Sequence, residues 1–62
     1  MIKLTQNPNF TNWWKLENSK TNESDEIAGR DKALRVALKI AKRVGQRDIK
    51  VVTNKGWKLV EA

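Results

Sequence analysis

Residues 31–44, DKALRVALKIAKRV, carry a helical period that leaves little freedom in what the chain can build. Ala33, Leu34, Ala37, Leu38, Ile40, Ala41 and Val44 recur at three- and four-residue spacing, so they line one side of a helix. Lys32, Arg35, Lys39, Lys42 and Arg43 fall on the opposite side, within about 100° of one another. Such a helix is stable only when its aliphatic side is buried against something else. Its expected span is Arg30 to Val44. Gly29 suits the N-cap, Asp31 stands in the first turn where negative charge is favoured, and Gly45 suits a left-handed C-terminal position. A start near Asp25, capped by Ser24, is the alternative, but the clean period begins only after Gly29.

The cover for that helix must come from short strands. Ile2 and Leu4 alternate with Lys3 and Thr5, a period of two, and Gln6-Asn7-Pro8-Asn9 then reads as a turn. Trp13 to Glu17 is a second strand pattern. If Trp14 and Leu16 face the core, then Trp13, Lys15 and Glu17 face out, and the opposite register stays open. The wholly polar run Asn18 to Asp25 reads as an exposed loop, and residues 18–28 as loop or short strand ending in Glu26-Ile27-Ala28. After the helix, Ile49 to Thr53 and Trp57 to Glu61 flank Asn54-Lys55-Gly56, a hairpin pattern with glycine closing a three-residue loop. Pairing Thr53 with Trp57 would turn Ile49, Val51, Trp57 and Leu59 toward the helix. Lys50, Val52, Lys58 and Val60 would then face out. The expected fold is α+β, a single domain over 1–62, with one helix on a small mainly antiparallel sheet in the order β-β-(β)-α-β-β.

Composition narrows the function. A chain of 62 residues has room for one small core. It has neither cysteine nor histidine, which removes disulfides, thiolate metal sites and the usual general base. No cofactor and no metal are expected. Glu23, Asp25 and Glu26 cluster, but without the glycine and ligand spacing of a calcium loop they read as solvated charge. There is no nucleophile–base pair, P-loop or dinucleotide fingerprint, so enzymatic function is not expected. No apolar run approaches a membrane span, and no signal peptide is apparent at the N-terminus, so a soluble cytoplasmic protein is the expectation.

Charge supplies the functional lead. Met1 to Gly29 holds three lysines and four acids, a net of −1, whereas Arg30 to Ala62 holds ten Lys or Arg and three acids, a net of +7. The helix stripe (Lys32, Arg35, Lys39, Lys42, Arg43), extended by Arg47, Lys50 and Lys58, has the character of a phosphate-contacting surface. A solvated helix face ordinarily interleaves Glu with Lys, and here only Asp31 stands near the stripe. Trp13 is the tryptophan expected to be exposed and able to stack on a base, while Trp57 and Trp14 are expected in the core. The favoured reading is a small binding protein for DNA or RNA. The other is a protein-interaction module, engaging an acidic partner or a second copy, whose basic face is merely solvated.

The Trp-bearing strand, the alanine-spaced helix (Ala33-Leu34, Ala37-Leu38, Ile40-Ala41-Lys42), Gly45 near its end and the Lys55-Gly56 turn together resemble the small bacterial and phage domains grouped as domain of unknown function 2188. The resemblance covers roughly Trp13 to Glu61. It implies a strand-strand-helix-strand-strand fold and a phage or mobile-element setting. It assigns chemistry to no residue. Gly29 stands where that family usually has Thr or Ser.

Overall fold

A computed structural model describes all residues, 1–62. In chain order the elements are β1 (Ile2–Gln6), β2 (Trp13–Asn18), β3 (Glu23–Ala28), α1 (Arg30–Arg43), β4 (Asp48–Thr53) and β5 (Gly56–Glu61). The five strands form one sheet in the order β3-β2-β1-β4-β5. β1 is central, antiparallel to β2 and parallel to β4, and the two outer pairings are antiparallel. The fold is therefore the expected α+β arrangement, with α1 as the crossover between the two halves of the sheet.

The helix bounds follow from local chemistry. Gly29 adopts φ 95°, which an L side chain resists, and its N–H bonds to Asn12 O at 2.7 Å. Asp25 to Ala28 lies in β3, so the earlier helix start does not occur. At the other end, Gln46 N–H bonds to Ala41 O and Gly45 N–H to Lys42 O, with Gly45 at φ 75°. These are the paired bonds of a Schellman cap.

α1 packs on one face of the sheet through Ala33, Ala37 and Ala41, all with no exposed surface. Small side chains at that seam let the helix approach Ile2, Leu4, Ile49 and Val51 closely. Leu34, Val36, Leu38 and Ile40 flank the seam and are only partly buried, and Val44 is exposed. The aliphatic stripe is thus wider than the surface the sheet can cover. Trp14 and Leu16 point inward from β2, and Trp13 points outward.

Two expectations are corrected. The polar stretch before the helix is not a loop throughout: Glu23–Ala28 pairs along its whole length with β2. An edge strand needs little apolar content. Here Ile27, opposite Trp14, is its one buried residue. Asn22 at φ 61° turns the chain between the two strands.

The β4–β5 register is also shifted by one residue from expectation. Thr53 pairs with Gly56 across Asn54-Lys55, and Val52, not Thr53, pairs with Trp57. Thr53 Oγ1 accepts the Lys55 N–H and donates to Gly56 O, closing the tight turn. A one-residue slip exchanges the faces of a strand. Lys58 and Val60 therefore lie on the helix side, and Trp57 and Leu59 lie on the open face, 63% and 58% exposed. Trp57 is not a core residue.

Candidate nucleic-acid interface

The alanine seam fixes which way the rest of α1 points. On a helical wheel the five stripe cations centre about 170° from Ala37. Lys32, Arg35, Lys39, Lys42 and Arg43 are accordingly all exposed, on the side of α1 away from the sheet. Lys42 and Arg43 also sit in the last turn, where the helix dipole favours positive charge, and Asp31 is the acid of the first turn. The ends of α1 are tied to the sheet, at Gly29 by its N–H to Asn12 O and just past the C-terminal cap by the Gln46 side chain to Ile2 of β1.

The other four candidates do not all join it. Arg47 is exposed in the connection after α1. Lys58 emerges from β5 on the helix side and lines a recess with Arg30, Leu34 and Val60. Around the N-terminal end of α1 this recess adjoins an open cleft of about 590 Å³, whose charged lining is Arg30, Lys55 and Lys58, with no acid. Lys50 and Trp13 lie on the opposite, open face of the sheet. Lys50 Nζ stands 4.8 Å from the centroid of the Trp57 ring. The nine residues thus divide between two surfaces on opposite sides of the molecule.

Charge distinguishes the two. On the open face Lys3 stands directly opposite Glu17, and Lys15 opposite Glu26. Lys3 also lies beside Lys50 across the parallel pairing, but Asp48 and Glu61 share that face, so its lysines stand among acids. On the outer face of α1 only Asp31, four residues before Arg35, offers such compensation, and Lys39, Lys42 and Arg43 have no acid three or four residues away. Trp57 and Leu59 are the contact-capable residues that sequence reasoning missed. The signal was present in Thr53, whose hydroxyl stabilises a two-residue turn, but hydrophobicity argued for the other register.

The acids of β3 do not converge. Glu23 and Asp25 share one face of the strand and Glu26 the other, and no group of three or more His, Cys, Asp or Glu is placed to hold a metal ion. No helix is long and apolar enough to cross a membrane. Comparison with known proteins finds no matching family model, no matching curated protein and no matching solved structure.

Proposed function

We propose that this chain is a small non-enzymatic binding protein of the cytoplasm whose ligand is nucleic acid, held through its phosphates by the outer face of α1. The observation that carries the reading is the five exposed cations on one rigid helix face beside a single acid, Asp31. Each phosphate neutralised releases condensed counterions, so affinity is expected to fall steeply with salt. The contacts proposed are to phosphates, which position a protein on nucleic acid and carry no sequence information themselves. Trp13 and Lys50 drop out of this contact, because the sheet separates them from α1. Lys58 and Arg47 remain at its margins. Kinship with the family named above, over Trp13 to Glu61, is part of the same proposal and adds no activity.

The test is a fluorescence-anisotropy titration with mixed-sequence DNA and RNA across a salt series. Wild type is expected to bind at low salt, with log affinity falling linearly against log salt. Lys39→Glu combined with Arg43→Glu is expected to abolish binding while leaving the domain folded, since both residues are exposed and the unfavourable charge in the last helical turn costs only about 0.3–1 kcal/mol. Amide resonances of α1 that stay unmoved by either nucleic acid at low salt would defeat the proposal.

A further inference from the structure

The two edges of the sheet are built differently. β3 carries Glu23, Asp25 and Glu26, all exposed, the kind of charge that discourages edge-to-edge pairing. β5 is guarded less, by a single lysine along its middle. Its open-face residues are Trp57 and Leu59, both largely exposed, and only Lys58 stands between them on the other face.

The backbone of β5 is also in the right phase. Ala62 N–H bonds to Arg47 O, which marks that opposed pair as hydrogen-bonded. Antiparallel pairs alternate between bonded and non-bonded. In the observed register the bonded pairs are then Ile49 with Val60, Val51 with Lys58 and Thr53 with Gly56. The N–H and C=O groups of Trp57, Leu59 and Glu61 consequently point away from β4, along the free edge.

We propose that β5 pairs antiparallel with β5 of a second copy, about a two-fold axis at Leu59. In that register Leu59 faces Leu59 of the other copy, and Trp57 faces Glu61. Every outward donor and acceptor of these three residues meets its complement, giving about six inter-chain hydrogen bonds. No like charges stand directly opposite one another, because Lys58 faces Val60. The operation is isologous and closes at the dimer. The acidic β3 strands become the two outer edges, where further growth is opposed. The axis runs perpendicular to the sheet, so both α1 helices lie on the same side, and their basic faces form one broader cationic surface. The association itself does not depend on nucleic acid.

Sedimentation equilibrium of the nucleic-acid-free protein, from micromolar to millimolar, tests the pairing together with amide hydrogen exchange. The expected result is a mass rising to twice that of the chain. Protection at the amides of Trp57, Leu59 and Glu61 should rise along the same concentration curve. Leu59→Pro removes an outward-pointing N–H and no β4–β5 donor, a substitution that edge strands accommodate, and should hold the protein at monomer mass. Leu59→Glu puts like charges at the axis and should do the same, so a folding failure of the proline variant does not block the test. Wild type that stays monomeric at millimolar concentration overturns the proposal. So does a dimer in which those three amides exchange freely, or one that both variants leave intact. A mass that continues to grow beyond the dimer points to head-to-tail β3–β5 pairing and overturns it equally.

Discussion

Two glutamines do work in this fold that their chemistry permits and no pattern announces. Gln46 Oε1 accepts the Ile2 N–H at 2.8 Å, while its Nε2 donates to Ile2 O and to Asp48 O. It therefore substitutes for a missing strand residue at the start of β1, whose Ile2 side chain is 1% exposed. Gln6 does the same at the other end, donating to Thr11 O and accepting the Asn54 N–H, so it ties the β1–β2 loop to the β4–β5 turn. Gln46→Ala would strip the Ile2 N–H of its partner at a part-buried position. Leaving a buried backbone group unsatisfied costs about 1–3 kcal/mol. Urea denaturation should show a loss of that size. A loss below about 0.5 kcal/mol, the range of an ordinary surface substitution, would mean that the amide contributes no more than one.

Elements with a strong period were readable in advance, and those whose form depends on a neighbour were not. α1 was legible to within a residue at its C-terminal end, because Ala33, Ala37 and Ala41 mark a seam and Gly29 and Gly45 bound it. The inward set of β2 was one of two open registers, and burial of Trp14 selects it. β3 was legible only at its end, where Glu26-Ile27-Ala28 reads as loop or short strand, because the stability of its polar first half comes from the ladder to β2. β5 was misread because both of its faces are apolar enough to be a core face, so turn geometry decided. The basic face of α1 was legible as a stripe, but its extension to Lys50 and Trp13 required knowing which side of the sheet each occupies. The seam makes its own prediction. Ala37 has no exposed surface, so Ala37→Leu must push α1 off the sheet, and overpacking of this kind costs about 1–3 kcal/mol. Val44→Ala, at an exposed site, should change stability by less than about 0.5 kcal/mol. Equal thermal midpoints for the two variants would show that the helix does not rest on its alanines.

The molecule as a whole depends on the strand formed by its first residues. β1 places Ile2 and Leu4 in the core and is the only strand that joins the β2–β3 hairpin to the β4–β5 hairpin through hydrogen bonds. Without it, the two hairpins would be connected through α1 alone, and two-stranded units are marginal in water. The parallel β1–β4 pairing also closes a long stretch of chain, so its entropy is lost before its contacts form. Deleting residues 1–6 is therefore expected to abolish cooperative unfolding, not merely to lower the midpoint. The Trp14 indole, now 3% exposed, should shift its fluorescence toward the solvent value. A synthetic peptide of residues 1–8 added in trans should restore the dispersed amide spectrum in a saturable way, because the gap left between β2 and β4 accepts one strand on both sides. The basic face of α1 separates folding from binding in this experiment. Its cations remain in the truncated chain, so residual salt-sensitive nucleic-acid binding there would reflect charge alone. Binding that returns in step with the peptide would show that the rigid helix face is required. A truncated chain that keeps its native spectrum without peptide would remove β1 from the centre of the fold's stability.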